Sequence, residues 1–414
     1  MNTANRPLAG VRVLDLGWVW SGPMAAAYLA DLGAEVIKLE HSDRLDNSRL
    51  RGAPIIDGKK LSIPGKSIEL GPYFHSVNRH KLSARLNLKH PEGAELFKAL
   101  VKKSDVVLEN FTPGTLKDLG IDYAELARLN PGLVMISLST AGQFGPIADM
   151  RGYGVTISAY SGLESLVGYP GEAPIGMMNI GLNDPSAGTH ALFALLVALY
   201  HREETGEGQY IDLSQIEVGT APLAEAMLEY QFDGTVPGPA GNGHRLHCPH
   251  GVFPCAGNDR WVAISVESPD HWAAFRSALG NPPWARDASL DAAAARRSKR
   301  EEIESRLGDW TRERDRDEVV RELVDSGVPA TPVLDIFEQF DDPQFQQRRL
   351  RQTVTHPLLG EEHLYRMPWQ MSATPLDITG SAPQLGQHDQ YVYGEILGLS
   401  AEEIRKLQQQ KIVN

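Results

Sequence analysis

The sequence predicts an α/β fold, with a Rossmann-like large domain built on a parallel sheet and a smaller α+β domain. Two observations support this prediction. Over the first 215 residues, short apolar runs of strand length alternate with segments of helical pattern, the order of elements that gives a parallel sheet covered by helices. Beyond residue 225 glycine and proline become frequent and a hairpin signal follows, which indicates a second domain.

The first β-α-β unit covers residues 11–40. "VRVLDL" and "AEVIKLE" are typical of buried strands, and the Ala-rich "GPMAAAYLADLG" between them predicts a helix that ends at Gly33. The pattern returns in a helix that begins at Pro91 and leads into the strand "DVVLEN", and again in "YAELARLNPGLVMISLS". A long apolar helix, predicted to be buried, then follows Asp184 and leads into the strand "QYIDLS".

Three segments divide the chain. Residues 1–224 are predicted to form the N-terminal part of the large domain, residues 225–325 the small domain, and residues 326–414 a segment that returns to the large domain. In the small domain, "CAGNDRWVAI" predicts a hairpin. The last segment ends in a helix for which Ser400 is the predicted N-cap and Glu403 completes a capping box.

Composition restricts the classes of function. With 414 residues, of which 42% are hydrophobic, the chain can bury a large core. Its formal net charge of −13 argues against general binding to nucleic acid or to anionic membranes. No apolar stretch reaches the ~20 residues that span a bilayer, and the N-terminal "MNTANRPLAG" lacks the apolar core of a signal peptide. Because the chain has only two cysteines, Cys248 and Cys255, we expect a cytoplasmic protein.

Asp184 directly precedes Pro185 at the start of the long apolar helix. Taken locally, this pair predicts a helix start. Asp at the N-cap accepts a hydrogen bond from an exposed backbone N–H, and proline at the first helical position lacks the N–H that would go unpaired.

Two further candidates are a dinucleotide site and a zinc site. Glu40 ends the second strand where a ribose-binding acid would lie, yet the turn "GWVWSGP" carries two tryptophans where a pyrophosphate needs glycine, so NAD binding is not predicted. The segment "NGHRLHCPHGVFPC" holds five possible zinc ligands, but their spacing matches no pairwise structural-zinc pattern. They are His244, His247, Cys248, His250 and Cys255.

Polar residues also gather near the ends of predicted strands and helices. A solvated basic face is one interpretation. The other is a site for phosphate and adenine groups, because ligands of open parallel sheets bind beyond the carboxyl ends of the strands. These residues are Asn78, Arg79, Lys81, Lys89 and Asn110.

A set of collinear motifs resembles the class III CoA-transferases, the CaiB/BaiF or formyl-CoA transferase family. The motifs span nearly the whole chain: "PLAGVRVLDLG", "LADLGAEVIKLE", "NRHKLSARLNLKHPEG", "VLENFTPGTLKDLGID", "LNPGLVMISLSTAGQFGP", "HREETGEGQYIDLSQIE", "GVPATPV", "SAPQLGQH" and "ILGLSAEEIRKL". The resemblance implies that a carboxylate at the position of Asp184 attacks an acyl-CoA thioester, and that CoA moves to an acid acceptor through an aspartyl anhydride and an aspartyl-CoA thioester. The helix dipole favours the ionised form of Asp184, and Ser186, Ala187 and Gly188 are small enough to leave room for a substrate.

The resemblance also implies the residues of a coenzyme A site and of a loop over the reacting groups. His41 and Lys117 stand at or beside positions where many relatives carry arginine. The implied loop consists of Gly241, Asn242 and Gly243, and it would exclude water from reactive intermediates. The family fold is an interlocked homodimer, and no metal is implied. The implied CoA-binding residues are Trp20, Ser21, His41, Leu86, Lys89, Asn110, Phe111, Thr112 and Lys117.

Two alternative functions and the identity of the acids remain open at this point. An α-methylacyl-CoA racemase shares the fold, but Tyr153 stands where its catalytic histidine would lie, and a tyrosine of pKa ~10 is a poor base near neutral pH. A zinc-loop binding module is the alternative from another class. A second carboxylate on the substrate could pair with Arg44, Arg49 or Arg51, whereas Trp18 and Trp20 could line an apolar pocket.

Overall fold

Parallel strands form the centre of the large unit, as predicted. The computed structural model describes residues 6–56, 59–177 and 181–414. Residues 1–5, part of the stretch used above to argue against a signal peptide, lie outside the described residues. The strands are β1 (Arg12–Asp15), β2 (Glu35–Glu40), β3 (Ile55–Ile56), β4 (Lys59–Lys60), β5 (Leu82–Arg85), β6 (Val106–Glu109), β7 (Val134–Ser139), β8 (Tyr210–Ser214), β9 (His250–Pro254), β10 (Trp261–Ser265), β11 (Ala330–Pro332), β12 (Arg351–His356) and β13 (Gly360–Tyr365).

Helices connect these strands. They are α1 (Ser21–Asp31), α2 (Pro72–Asn78), α3 (Pro91–Val101), α4 (Thr115–Asp118), α5 (Tyr123–Leu129), α6 (Gly154–Tyr160), α7 (Asn183–Thr205), α8 (Gln215–Thr220), α9 (Ala224–Asp233), α10 (Pro269–Ala278), α11 (Ala293–Ser298), α12 (Arg300–Arg312), α13 (Arg316–Asp325), α14 (Ile336–Asp341), α15 (Pro343–Gln347) and α16 (Ala401–Gln409). In the described part of the chain, no helix is both long and apolar enough to cross a bilayer.

The central sheet has six parallel strands in the order β5-β2-β1-β6-β7-β8. From β1 the chain proceeds to one side through β2 and β5, and then to the other through β6, β7 and β8. The order therefore reverses between β1 and β6, which is where open α/β sheets bind their ligands. Two apolar clusters cover the sheet, one containing residues of α1 and α7 and the other residues of α3, α5 and α16.

The chain divides into two compact units. The described residues up to Leu163, Met177–Leu228 and Gln346–Asn414 form the first, and Glu164–Gly176 with Glu229–Phe345 form the second. The short segment Glu164–Gly176 was not expected in the second unit, and the chain returns to the first unit at Gln346 rather than near residue 326. The second unit combines helices with a three-stranded antiparallel sheet in the order β11-β10-β9, which agrees with a smaller α+β domain.

Several local predictions are confirmed at the level of single residues. Pro91 opens α3, and Gly33 has the left-handed φ of +103° just after α1. Strands β9 and β10 pair as the hairpin that was predicted. At the C-terminal end, Ser400 and Glu403 form the capping box of α16. These signals are local, since each depends on the backbone needs of a single turn.

Candidate functional site

The turn at residues 17–20 lies at the switch point of the sheet, between the carboxyl ends of β1 and β6. Asn110, the first residue after β6, holds this turn through both ends of its amide. Its Oδ1 accepts from the Trp18 backbone N–H at 2.7 Å, and its Nδ2 donates to the Trp18 carbonyl at 2.8 Å. The Trp18 ring meets the Phe111 ring edge-on at 6.0 Å. Asn110 thus acts on the conformation of the turn.

A buried ion pair supports the same turn. Val19 has a φ of +66°, which is unfavourable for a β-branched residue and must be held by its surroundings. The Asp46 carboxylate accepts from the Val19 N–H at 3.1 Å, and the Lys38 ammonium donates to the Gly17 carbonyl at 2.6 Å. Lys38 and Asp46 lie 3.1 Å apart with fully buried side chains. The pair therefore fixes an N–H and a C=O of one strained turn.

Asp184 is the second residue of α7 and is half-buried. The prediction that it caps the helix is wrong. The N-cap is Leu182, and none of the described side chains caps this end. The helix begins earlier than the proline suggested, so the Asp184 carboxylate is left for other contacts.

Two of the three small residues that follow Asp184 serve helix packing. Ala187 and Gly188 are buried. A Cβ on Gly188 would lie 3.2 Å from the Ser21 carbonyl oxygen and 3.3 Å from the Met24 Cβ. Close approach of α1 and α7 through Gly188 therefore brings the start of α1 near the start of α7.

Ser21 connects the turn to Asp184. Its buried hydroxyl is hydrogen bonded to the Asp184 carboxyl, and it accepts from the Asn110 Nδ2 at 3.4 Å and from the Gln215 Nε2 at 3.3 Å. Burial raises the pKa of Asp184 to about 6, while the hydrogen bond from Ser21 and the charge of Arg51 act to lower it. The result is a carboxylate that is mostly ionised at neutral pH and more basic than usual.

Two aromatic rings and one cation form a cluster near the start of α7. The Trp20 ring meets the Tyr73 ring edge-on at 5.4 Å, and the Arg51 guanidinium lies over the Tyr73 ring at 5.2 Å. Burial and the charge of Asp184 raise the pKa of Tyr73, which places its hydroxyl in the field of the carboxylate. A Cβ on Gly181 would lie 3.0 Å from the Trp20 ring, so this glycine lets the chain pass the indole just before α7.

The other predicted CoA-binding residues follow the carboxyl ends of β2, β5 and β6. His41 comes directly after β2, and its Nε2 is buried without a hydrogen-bond partner among the described residues. Leu86 is in the core and donates its backbone N–H to the Glu40 carbonyl. Lys89, Thr112 and Lys117 are exposed. Because β2 and β6 flank β1, and β5 pairs with β2, the parallel sheet brings the predicted residues to the edge where the turn lies.

Several predicted polar candidates are instead committed to buried contacts. Arg79 pairs with Asp31, and Lys81 lies 2.7 Å from Asp15 while also donating to the Asn78 side chain at 2.8 Å. The predicted basic face is thus absent at Asn78, Arg79 and Lys81, since the apolar surroundings require each charge to be paired. Lys81 supports the turn through Asp15, whose carboxylate accepts a hydrogen bond from the Gly17 N–H at 2.8 Å.

The predicted loop at residues 241–243 is held within the second unit. Gly241 donates its N–H to the Gly168 carbonyl at 3.0 Å. The Asn242 amide exchanges two hydrogen bonds with the backbone of Val252, each of 3.1 Å.

The His/Cys segment does not converge on a metal site in the described residues, where no three of its five side chains come together as ligands. The rings of His244 and His247 stack at 4.3 Å, and the Cys248 thiol donates to the Arg296 carbonyl at 3.3 Å. Both cysteines belong to the core of the second unit. The segment therefore contributes packing in the described structure, where the sequence had left zinc open.

Sequence reasoning did not assign Tyr73, Gln215 or the Lys38–Asp46 pair to the site. Tyr73 lies in α2, more than a hundred residues before Asp184, and no pattern in "GPYFHSVN" distinguishes it from a core aromatic. Tyr153, considered as the base of a racemase, is 64% exposed and directly precedes α6. A signal for the ion pair was available only in hindsight, as a lysine between two apolar residues in the buried strand β2.

Comparison with known proteins identifies the family. Residues 8–389 match the profile described as CoA-transferase family III. The chain is 34% identical over 409 residues to a succinyl-CoA–D-citramalate CoA-transferase of Chloroflexus aurantiacus, covering 99% of this chain and 98% of the relative. It is also 34% identical over 393 residues to a succinate–glutarate CoA-transferase of Agrobacterium fabrum, covering 94% and 96%. A crystal structure of a CaiB/BaiF family protein from Brucella suis superposes with a TM-score of 0.84 at 29% identity, covering 95% of this chain and all of that one.

Proposed function

This chain belongs to CoA-transferase family III and is a transferase acting between acyl-CoA esters and acids, and from that premise we propose that Asp184 is its nucleophile. The observation that carries the proposal is the state of the Asp184 carboxyl. It caps no helix, it is hydrogen bonded to Ser21, and burial raises its pKa to about 6. Such a carboxylate is ionised at neutral pH and retains basicity, which suits attack on a carbonyl carbon.

The reaction is proposed to proceed in four displacements at carbonyl carbon. An Asp184 oxygen attacks the acyl-CoA carbonyl, the C–S bond breaks, and CoA thiolate leaves an aspartyl anhydride. The thiolate then attacks the aspartyl carbonyl, which releases the donor acid and forms an aspartyl-CoA thioester. The acceptor carboxylate attacks this thioester and again expels thiolate. Attack of that thiolate on the acceptor carbonyl forms the new acyl-CoA and restores the Asp184 carboxylate.

Coenzyme A is proposed to bind along the edge formed by the carboxyl ends of β5, β2, β1 and β6. Exposed ammonium groups of Lys89 and Lys117 would provide positive charge for phosphates in a chain whose net charge is −13. Asn110 would act through the turn that it holds, because its amide is already bonded to Trp18. The remaining members of the proposed CoA site are Trp20, Ser21, His41, Leu86, Phe111 and Thr112.

The loop at residues 241–243 is proposed to exclude water from the anhydride, as the family resemblance implies.

An interlocked homodimer is also proposed from the family resemblance, and the surface of α7 supports it. Although this helix was expected to be buried, Phe193, Val197 and Tyr200 are 70%, 52% and 67% exposed. They recur at intervals of four and three residues, so they form one apolar stripe. Sedimentation of the purified chain should show a dimer that persists on dilution.

Trapping the covalent intermediate tests the role of Asp184. The relatives named above use succinyl-CoA or succinate, so succinyl-CoA without an acceptor is the first donor to use. We expect the enzyme to accumulate aspartyl-CoA, which hydroxylamine converts to a hydroxamate on the peptide that holds Asp184. The Asp184→Asn variant is the matched control and should form no adduct. Exchange of the substrate α-proton with solvent deuterium, without any adduct, would instead indicate a racemase.

A further inference from the structure

Three arginines lie between residues 44 and 51, and the structure separates their roles. Arg49 is buried, pairs with Glu40 and Glu69 at 2.8 Å each, and stacks on the Phe74 ring at 3.7 Å. Arg44 lies over the Trp18 ring at 5.0 Å. Arg51 is exposed and stacks on Tyr73, and within residues 6–56, 59–177 and 181–414 its guanidinium has no ion pair. Arg44 is also exposed and has no ion pair in the same ranges, so Arg44 and Arg51 both keep an available charge, whereas Arg49 does not.

Ring contacts connect Arg51 to the start of α7. Its guanidinium lies 5.2 Å from the centre of the Tyr73 ring, the Tyr73 ring meets the Trp20 ring at 5.4 Å, and the Trp20 ring lies against Gly181, three residues before Asp184. Arg51 lowers the pKa of both Asp184 and Tyr73, against the effect of burial on each. The acyl carbonyl of a thioester must contact the Asp184 carboxylate in order to react with it. The guanidinium therefore lies within electrostatic reach of the acyl group and not only of the nucleotide end of the substrate.

We propose that Arg51 binds the far carboxylate of a dicarboxylic acyl group, so that the enzyme selects monothioesters of dicarboxylic acids and free dicarboxylic acids as acceptors. This inference rests on the proposed role of Asp184. A guanidinium offers two parallel N–H donors that match a carboxylate, and the Tyr73 ring beneath it fixes the plane of the fork. The Trp20 ring, edge-on to Tyr73, provides an apolar face for the methylene groups between the two ends of the acid.

The test compares acids of equal length that differ in the far charge. Succinate and butyrate serve as acceptors, and succinyl-CoA and butyryl-CoA as donors, with wild type, Arg51→Met and Arg51→Lys. We expect wild type to prefer the succinyl substrates. Arg51→Met should lose about 10- to 100-fold in kcat/KM for them, the effect of a lost charged hydrogen bond, with little change for the butyryl substrates. Arg51→Lys should keep part of the preference, since an ammonium lacks the fork.

Binding measurements separate this inference from the proposed chemistry. In the Asp184→Asn background no transfer is expected, and calorimetry should still show tighter binding of succinyl-CoA than of butyryl-CoA, a preference that Arg51→Met removes. Arg128→Met removes an exposed arginine of α5 that pairs with Glu125 and should leave both preferences unchanged. Equal losses for the two acyl groups in Arg51→Met would assign Arg51 to the CoA phosphates and overturn the proposal, as would a wild type that does not distinguish them. Failure of the adduct experiment would remove the role of Asp184 without changing the binding result.

Discussion

The turn at residues 17–20 and the start of α7 differ in how their buried charges are paired. Beneath the turn, Lys38 lies 3.1 Å from Asp46 and Lys81 lies 2.7 Å from Asp15, and all four side chains are buried. Asp184 has no ion pair of this kind in the described ranges. Burial acts to raise the pKa of Asp46 and Asp184 alike, but the charge of Lys38 lowers that of Asp46, whereas that of Asp184 rises to about 6.

This difference explains how one crevice can be both rigid and reactive. A buried carboxylate beside a lysine is stabilised as an anion, so it is suited to accepting hydrogen bonds from the backbone. A carboxylate that is partly desolvated and has a hydroxyl donor but no adjacent lysine keeps a pKa near neutrality. The paired charges of Lys38 and Asp46 hold the turn in place. Ser21 directly follows this turn and is hydrogen bonded to the Asp184 carboxyl.

The largest expected effect is on activity, at the unpaired carboxylate. Asp184→Asn should lower the rate of CoA transfer about 10³-fold or more, because a neutral amide cannot form the anhydride. The fold should persist, since Asp184 caps no helix. Steady-state transfer and circular dichroism on the same preparation test both parts. Activity within tenfold of wild type would show that the unpaired carboxylate is not the nucleophile.

The paired charges should show the opposite pattern, with a large effect on stability. Lys38→Met leaves the Asp46 carboxylate buried without its cation and the Gly17 carbonyl without its donor, which we expect to cost about 3–5 kcal/mol of unfolding free energy. Lys98→Met, which removes a lysine paired with the exposed Glu95 on α3, should cost about 0.5 kcal/mol or less. Urea denaturation of the two variants measures the difference. Equal stabilities would mean that the buried pair does not hold the turn.

The parallel sheet was predictable because its signals are local. "VRVLDL", "AEVIKLE" and "DVVLEN" are apolar runs bounded by helix signals, and each forms its strand with an error of at most two residues at either end. The capping box at Ser400 and the proline that opens α3 are equally local. The local interpretation of Asp184 as a cap was wrong because α7 begins before the proline.

The environment of Asp184 was not predictable from the sequence, since it depends on contacts between distant segments. Arg51, Tyr73 and Ser21 reach the start of α7 from positions more than a hundred residues away. The spacing of Arg44, Arg49 and Arg51 does not show which of the three forms ion pairs with Glu40 and Glu69. The order of the strands decides such questions, and it becomes available only with the fold.

A smaller effect is expected from the hydroxyl that links the two regions. Ser21→Ala removes a hydrogen bond that lowers the pKa of Asp184, so this pKa should rise by about one unit, the value of one hydrogen bond to a charged group. The acid limb of the pH profile of kcat/KM should move to higher pH by the same amount. A uniform loss of rate at every pH, with no displacement of the limb, would indicate that Ser21 only positions the turn.

The smallest effect concerns the free energy of unfolding and its dependence on pH. The pKa of Asp184 rises from 3.8 to about 6 on folding, so the folded state binds the proton more tightly than the unfolded state. Ionisation of Asp184 therefore costs stability as the pH rises from about 4 to about 6, and the full cost persists above that range. At about 1.4 kcal/mol per pKa unit the difference is at most about 3 kcal/mol, and partial exposure reduces it to about 1–2 kcal/mol. Asp184→Asn cannot ionise, so it should be more stable than wild type at pH 8, and the difference should fall to about a third of that value at pH 4.5. Urea midpoints for the two proteins at both pH values measure this, and a variant that is less stable at pH 8 would show that the Asp184 anion is stabilised in the same way as Asp46.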